Sequence, residues 1–142
     1  VKSIKKLKCV NCPSKLNSSA IDEFLIIFLA AAKAKGISKF KDLGEMNKKE
    51  SKRLDLAIKF LKLIGIKVER FQNNIKIYGN PNLKLSGYFK MKNFLKDHRI
   101  FFLSCITALT LGGNWKIYDK DSINTSFPNF IKTLKFVGAK IS

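Results

Sequence analysis

The ionisable residues that could do chemistry in this sequence fall at the predicted starts of helices. A helix N-terminus presents free backbone N–H groups and the positive end of the helix dipole, so it favours anions. The segment Lys96-Asp97-His98-Arg99 holds the only histidine and one of three arginines, directly before an apolar run. The other reactive groups at predicted helix starts are Asp22, then Lys49, Glu50 and Arg53, and finally Thr125-Ser126. If those helix ends converge, two carboxylates would lie among several cations, which suits acid–base chemistry on a phosphorylated or carboxylated substrate.

Each of these residues also has a purely structural interpretation. Asp97 would cap its helix, and Asp22 would complete a capping box with Ser19. Glu50 would do the same with Asn47, while Lys49, Lys52 and Arg53 would form a solvated helix face. Taken one at a time, the structural interpretations are favoured, so the case for a site depends on the residues acting together.

The positive charge of the chain is made almost entirely of lysine. The net charge is +18, and of 28 basic residues only Arg53, Arg70 and Arg99 are arginines. The lysines are spread along the whole chain, and proteins that read base edges favour arginine. The spread of lysines therefore argues against nucleic-acid binding, and a basic nucleic-acid-binding module is kept as an alternative. The few arginines are informative, because arginine adds two-pronged geometry to its charge.

Neither the cysteines nor the apolar runs predict a metal site or a membrane segment. Cys9 and Cys12 have the spacing of a redox or zinc pair, but Cys105 and His98 lie far along the chain. We therefore expect no metal and reduced thiols. The longest apolar run, 24–32, is too short to span a bilayer, and the first residues do not resemble a signal peptide. A cytoplasmic location is expected by default.

Helical and strand patterns alternate along the chain, which predicts an α/β fold. Helices are expected at 21–35, 47–64, 97–111 and 128–137. Strands are expected at 4–10, 37–43, 66–71, 75–78, 115–119 and 139–142, with 79–92 as a loop of some extended character. Leu61–Val68 is similar to Leu134–Ile141, which indicates an internal repeat of about 75 residues. We predict a single partial domain over 1–142, built of two repeat units, 1–80 and 81–142.

Several spaced segments resemble the C-terminal part of the 3-phosphoshikimate 1-carboxyvinyltransferase (EPSP synthase) family, in the enolpyruvyl transferase superfamily. Ala20–Phe24 is similar to the family's "IDEFP", and Gly44–Leu54 to "ELRVKESDRL". Asp97-His98-Arg99 matches "DHR", Asn124–Phe130 resembles "ATSFPEF", and Gly138–Ile141 resembles the closing "LGAKI". These segments occur in the family's order along nearly the whole chain. Together they make the resemblance far more specific than any one segment would alone.

The resemblance implies a fold and a reaction. The fold would be part of one lobe of an inside-out α/β barrel, built from repeated units of two helices packed on a four-stranded sheet. The reaction transfers the enolpyruvyl group of phosphoenolpyruvate to the 5-hydroxyl of shikimate 3-phosphate in the shikimate pathway, by addition and elimination, with no cofactor.

The resemblance also implies a role for individual residues. Asp22 would orient or deprotonate the shikimate hydroxyl, and Glu50 would protonate the methylene carbon of phosphoenolpyruvate. The implied substrate-binding residues are Glu45, Lys49, Arg53, His98 and Arg99, of which the two arginines would hold phosphoenolpyruvate. The chemistry agrees with these roles, because the addition needs a proton donor and a base, and the anionic substrate needs fixed cations.

The chain departs from the family pattern in sequence and in length. Leu25 replaces the usual proline, Asn47 the usual arginine and Lys52 the usual aspartate. The resemblance covers about the last third of a two-lobed enzyme whose active site lies between the lobes. We therefore expect the chain to be inactive without the first lobe, supplied in cis or in trans, and a non-catalytic remnant of the family is the remaining alternative.

Overall fold

The computed structural model describes residues 6–49 and 51–141, and it divides the chain into two compact units. Unit 1 is Val1–Leu85 and unit 2 is Ser86–Ser142. The predicted repeat units 1–80 and 81–142, and their membership in one partial domain, stay predictions. No helix in the described part of the chain is long and apolar enough to cross a membrane.

Unit 1 is built on a four-stranded mixed sheet with helices packed against it. The strands are β1 (Asn11–Cys12), β2 (Gly36–Phe40), β3 (Val68–Phe71) and β4 (Asn74–Gly79), and the helices are α1 (Asn17–Ala20), α2 (Phe24–Lys33) and α3 (Arg53–Leu63). The strand order is β1-β2-β4-β3. Strand β1 is parallel to β2, whereas β4 is antiparallel to both β2 and β3. The α/β class predicted from the sequence is thus confirmed.

The core of unit 1 forms because α2 is apolar on most of its faces. Phe24 and Phe28 stack on each other and meet the edge of Phe40 from β2. Ile75 and Ile77 of β4 are buried on the same side of the sheet, since alternate residues of a strand share a face. The predicted burial of this helix is confirmed.

Two strand predictions in unit 1 have different outcomes. The predicted hairpin around Asn73-Asn74 is confirmed, with Gln72 in the left-handed region at φ 52°. The predicted first strand at 4–10 lies partly outside the described residues. Within them, Lys8 makes an isolated parallel bridge to Lys35, and the strand itself is Asn11–Cys12.

The end of β4 lies against the C-terminus of α2. A Cβ atom on Gly79 would lie 2.1 Å from the carbonyl oxygen of Ala34, so only glycine allows the approach. The amide of Asn80 donates to the carbonyl of Ala32 at 2.8 Å. Strand β4 is therefore both packed and hydrogen bonded to α2.

Lys33 fixes the segment that follows β4. Its ammonium donates to the carbonyl oxygens of Pro81, at 3.1 Å, and Leu83, at 2.9 Å. We call this arrangement the Lys33 clamp. It satisfies two backbone acceptors that face a helix end, where a cation is also favoured by the helix dipole.

Unit 2 has fewer strands. Its elements are β5 (Leu85–Met91), whose first residue still belongs to unit 1, α4 (His98–Leu111), β6 (Gly112–Ile117) and α5 (Phe130–Phe136). Strands β5 and β6 form a two-stranded sheet. The prediction of a loop with some extended character at 79–92 is only partly right, because strand β5 occupies its second half. No strand is found over 139–141, and the last residue of the strand predicted there, Ser142, lies outside the described residues.

Helix α4 buries two hydroxyl groups without leaving them unsatisfied. Ser104 donates to the carbonyl of Ile100 at 2.8 Å, and Thr107 donates to that of Leu103 at 2.7 Å. Bonds of this kind, to the carbonyl four residues earlier, remove the cost of burying the hydroxyl. The helix can therefore sit in an apolar environment despite its polar residues.

The same C-terminal cap ends α3 and α5, which supports the internal repeat. Gly65 and Gly138 both have positive φ, at 79° and 97°. In each cap the glycine amide donates to the carbonyl three residues earlier at 3.0 Å, and the next amide donates to the carbonyl five residues earlier at 2.9 Å. This is the paired hydrogen-bond pattern of a Schellman motif, so the similarity of Leu61–Val68 and Leu134–Ile141 extends to their backbone.

Candidate functional site

Asp22, Lys49 and Arg53 come together in unit 1 and form a charged cluster. Arg53 Nη1 lies 2.9 Å from Asp22 Oδ1, and Lys49 Nζ lies 3.8 Å from the same oxygen. Arg53 is 1% exposed, whereas the side chains of Asp22 and Lys49 are 38% and 32% exposed. The cluster thus combines a buried cation with an accessible carboxylate and an accessible cation.

Arg53 is the first residue of α3, so the cluster lies at a helix N-terminus. Helix α3 runs over 53–63 and not over the predicted 47–64. The two cations outnumber the one carboxylate, and the N-terminal end of the helix dipole adds to the positive potential. Such a place can attract and orient an anion, while the carboxylate stays in contact with solvent.

Asn47 caps α3 from a distance. Its Oδ1 atom accepts from the amide of Leu54 at 3.0 Å and from that of Asp55 at 3.4 Å, and its Nδ2 atom donates to the Asp55 carboxylate at 3.2 Å. The predicted capping box, with Asn47 at the helix boundary, is therefore wrong, although Asn47 does cap the helix. The chain between Asn47 and α3 is the segment that carries Lys49.

Asp22 lies in the turn between α1 and α2, and its neighbours differ from those predicted. The hydroxyl of Ser19 donates to the carbonyl of Leu16 at 3.0 Å, and the side chain of Glu23, the N-cap residue of α2, makes no capping hydrogen bond. The predicted capping box of Ser19 and Asp22 is therefore wrong. The carboxylate of Asp22 faces Arg53 and Lys49 instead of the start of its own helix.

Glu45 lies outside the charged cluster of Asp22, Lys49 and Arg53. Glu45 forms an exposed ion pair with Lys48 at 2.7 Å, one turn away in the short helical turn Leu43–Lys48. Exposed pairs of this kind contribute little to stability. Glu50, the second predicted catalytic residue, lies outside the described residues, so its role stays a prediction.

His98 and Arg99 open α4 in unit 2, where Asp97 caps the helix. The Asp97 carboxylate accepts from the amide of Arg99 at 3.0 Å and is itself buried, which confirms the predicted cap. The ring of His98 meets the edge of Phe102, with 5.8 Å between the ring centroids. Phe102 in turn packs on Phe130 of α5, so aromatic contacts hold the histidine in place.

Arg70 belongs to a second charged group that the sequence did not reveal. Its guanidinium pairs with the Asp55 carboxylate and also donates to the backbone carbonyl of Gln72. Burial opposes ionisation of Asp55, but the hydrogen bonds from Arg70 and Asn47 outweigh it and lower the pKa of Asp55 below its usual value of 3.8. The only sequence signal for this pair is that residue 70 is an arginine, in a chain whose basic residues are almost all lysines.

The described residues contain no group of three or more His, Cys, Asp or Glu side chains that could hold a metal ion. Cys105 is buried in unit 2, and burial raises the pKa of its thiol to about 12. Of the other two cysteines, Cys9 is exposed and Cys12 is partly exposed.

Comparison with known proteins identifies the kind of fold first. A solved structure of EPSP synthase from Acinetobacter baumannii matches 96% of this chain and 31% of its own, with a TM-score of 0.79 and 26% identity. The enolpyruvyl transferase NikO from Streptomyces tendae matches 85% of the chain with a TM-score of 0.52 at 15% identity, which shows the fold alone. The fold is therefore the α/β fold of the enolpyruvyl transferases.

Sequence comparison narrows this class to one family. The family described as EPSP synthase (3-phosphoshikimate 1-carboxyvinyltransferase) matches residues 7–134, and the chain belongs to that family. A 3-phosphoshikimate 1-carboxyvinyltransferase from Vesicomyosocius okutanii is 37% identical over 137 residues, and one from Campylobacter jejuni subsp. doylei is 40% identical over 121. The chain spans 31% and 27% of their respective lengths.

Proposed function

We propose that this chain is the C-terminal portion of an enzyme that transfers the enolpyruvyl group of phosphoenolpyruvate to the 5-hydroxyl of shikimate 3-phosphate. The observation that carries the proposal is the family match over residues 7–134. The charged cluster of unit 1 supports it, because three of the residues to which the resemblance assigns roles are neighbours there. We include a cytoplasmic location in the proposal.

In unit 1, Asp22 acts on the attacking hydroxyl, and Arg53 and Lys49 bind the anionic substrate. Arg53 donates to Asp22 at 2.9 Å, so it holds the carboxylate in one orientation. The side chain of Lys49 is partly exposed, so its ammonium can reach and bind the phosphate of a substrate. Glu50 protonates the methylene carbon of phosphoenolpyruvate, and Glu45 makes a further substrate contact.

In unit 2, Arg99 holds phosphoenolpyruvate and His98 flanks it. Arginine suits this role because its planar fork binds a carboxylate or phosphate through two parallel hydrogen bonds. The Asp97 cap fixes the first turn of α4, and it thereby fixes the backbone position from which the Arg99 side chain extends. No metal or organic cofactor is required by this proposal.

The chain acts together with a further polypeptide in this proposal. The relatives are more than three times as long as the matched segment, so the residues that complete the site belong to the missing lobe. The chain alone should therefore bind substrate weakly and not turn it over. The partner lobe can be part of the same polypeptide or a separate one.

The test is an assay of phosphate release from phosphoenolpyruvate and shikimate 3-phosphate. We expect no activity from the 142 residues alone and measurable activity after addition of the complementary segment of the Vesicomyosocius okutanii relative. In the reconstituted protein, Asp22→Asn should lower kcat by about 10²-fold or more, since general acid–base groups contribute 10²–10⁴. Arg53→Lys should raise the KM for phosphoenolpyruvate as well.

Asp121→Asn is the matched control, because Asp121 is an exposed aspartate of unit 2 to which no role is assigned. Its kcat should stay within twofold of the parent. Turnover by the chain alone would contradict the proposed division of the site. Equal activity of Asp22→Asn and the parent would show that the chain is a non-catalytic remnant.

A further inference from the structure

The short helical turn that leads to Lys49 begins against the tip of the hairpin formed by β3 and β4. The amide of Leu43, its first residue, donates to the carbonyl of Asn73 at 2.9 Å. The amide of Asp42, directly before the turn, donates to Oδ1 of Asn74 at 2.9 Å. The start of the turn is therefore hydrogen bonded to the hairpin.

The end of the turn is connected to the same hairpin through three side chains. Asn47 donates from Nδ2 to Oδ1 of Asp55 at 3.2 Å, and the guanidinium of Arg70 donates to the same oxygen. Arg70 also donates from Nε to the carbonyl of Gln72, in the hairpin turn, at 2.6 Å. We call Asn47, Asp55 and Arg70 the Arg70 network. The hairpin thus holds both ends of the segment that leads to Lys49.

Arg70 makes its two bonds with separate nitrogens of one rigid plane. Because the guanidinium is planar, it fixes the Asp55 carboxylate relative to the Gln72 carbonyl. The side chains of Arg70 and Asp55 are 36% and 34% exposed. An ion pair this accessible to solvent contributes little to the stability of the whole fold. We therefore expect its main effect to be local, on the geometry of the turn that ends at Lys48.

Asp22, which pairs with Lys49, is held by bonds outside the Arg70 network. Arg53 Nη1 donates to its carboxylate at 2.9 Å. Asn17, the first residue of α1, donates from Nδ2 to the carbonyls of residues 41 and 42 at 2.8 and 3.1 Å, which fixes the helix that precedes Asp22. Disruption of the Arg70 network should therefore displace Lys49 from a carboxylate that stays in place.

We propose that Arg70 is a positioning residue of the candidate site. It acts through Asp55 and Asn47, which hold the end of the turn. The ammonium of Lys49 is thereby kept beside Asp22, with Nζ 3.8 Å from Oδ1. Such support matters, because a misplacement of about 1 Å can lower a rate by about 10²-fold. The inference rests on the proposed function for the role of Lys49 in binding the substrate, but the position of Lys49 can be measured without turnover.

A zero-length carbodiimide cross-linker measures this position in the 142-residue chain itself. It joins a carboxylate directly to an adjacent amine as an amide, with loss of one water, and mass spectrometry of the digested chain locates the link. The readout is the yield of the link between Asp22 and Lys49, divided by that of the link between Glu45 and Lys48. The second pair is the internal standard, because its members lie 2.7 Å apart within one turn. Arg70→Ala should lower this ratio about fivefold or more, because a loosened support lets Lys49 leave Asp22.

Two comparisons separate this effect from a general loss of stability. Lys67→Ala removes an ion pair with Glu69, at 3.2 Å, from the same hairpin but outside the network, and it should leave the ratio within about twofold. Asn47→Ala should lower the ratio as much as Arg70→Ala does. The double variant should lose no more than either single variant, since the effects of residues in one network are not additive. Far-UV circular dichroism checks that each variant is folded.

Kinetics test what the position of Lys49 contributes to substrate binding. In the reconstituted protein, Arg70→Ala should raise the KM for phosphoenolpyruvate about tenfold, and Lys67→Ala should leave it within about twofold. Absence of turnover by the reconstituted parent would count against the proposed function alone, because the cross-link ratios still decide the position of Lys49. An unchanged ratio in Arg70→Ala, or additive losses in the double variant, would overturn the inference. A lower ratio with an unchanged KM would overturn it as well, because the position of Lys49 would then not serve substrate binding.

Discussion

Replacing Asn47 by alanine removes the side chain that connects the segment carrying Lys49 to the start of α3. Asn47 Oδ1 accepts from the amides of Leu54 and Asp55, and Nδ2 donates to the Asp55 carboxylate. The alanine variant leaves both amides without this acceptor. It also removes one of the two hydrogen bonds that keep Asp55 ionised.

The cost follows from these contacts. Loss of a helix N-cap costs about 1 kcal/mol. Loss of the partly buried bond to Asp55 adds about 1 kcal/mol. The free energy of unfolding should therefore fall by about 2 kcal/mol. With a urea m-value of about 2 kcal/mol/M for a small protein, the midpoint moves down by about 1 M.

The assay is urea unfolding followed by far-UV circular dichroism, together with hydrogen exchange at the amides of Leu54 and Asp55. Both amides should exchange faster in Asn47→Ala than in the parent. Asn124→Ala is the control, because Asn124 is exposed and its side chain makes no hydrogen bond within the described residues; its cost should stay below about 0.5 kcal/mol. A midpoint for Asn47→Ala no lower than that of the control would refute the assignment of Asn47 as the cap of α3.

Three further outcomes are expected. Cys105 should resist modification by a disulfide reagent at pH 8 until the protein unfolds, because a thiol of pKa about 12 is ionised in about one molecule in ten thousand there; the exposed Cys9 should react at once, and equal rates would contradict the burial. Arg70→Ala should make the fall in stability with decreasing pH shallower. The lowered pKa of Asp55 contributes stability that is fully present above the usual pKa of an aspartate and is lost as the pH falls through the pKa of the folded state. Thermal unfolding at a series of pH values below about 5 measures this, and the same pH dependence of Tm in the variant and the parent would refute it. Gly65→Ala should cost about 1 kcal/mol in urea unfolding, because the left-handed backbone is strained for alanine while nothing lies within 4 Å of the new methyl group; an unchanged midpoint would argue against that strain.

The sequence predicted well those parts of the fold that depend on local patterns. The burial of α2 followed from its continuous apolar surface, and the Asp97 cap followed from an acid placed directly before an apolar helix. The hairpin at Asn73-Asn74 followed from a polar turn between alternating strands. In each case the deciding interactions lie within a few residues of one another along the chain.

Predictions failed where distant residues decide the outcome. Asn47 was assigned to the boundary of α3, yet it caps that helix across the intervening segment, so the predicted helix began too early. The sequence of 79–92 predicts a loop with some extended character and not the strand β5, because the pairing partner of β5, strand β6, lies beyond α4. The pairing identifies this strand, since Ser86 and Gly87 interrupt its apolar residues and obscure the alternation of a strand.

The candidate site was predicted in part. Family motifs drew attention to Asp22, Lys49 and Arg53, and the structure brings these three together. Nothing in the sequence revealed that Arg53 is almost fully buried, or that it pairs with Asp22 in the turn between α1 and α2. The pair of Arg70 and Asp55 was missed for the same reason, because its members lie 15 residues apart and in different elements.

The Lys33 clamp makes one amino group of this lysine-rich chain chemically different from most others. Acylating reagents attack only the neutral amine, and Lys33 must release two carbonyl oxygens before its nitrogen becomes available. The extent of Lys33 acylation, read by mass spectrometry against the exposed Lys62 of the same unit, therefore reports how often the Lys33 clamp opens. The reactivity of Lys33 thus measures local opening in unit 1, and no substitution is needed to introduce a reactive residue there.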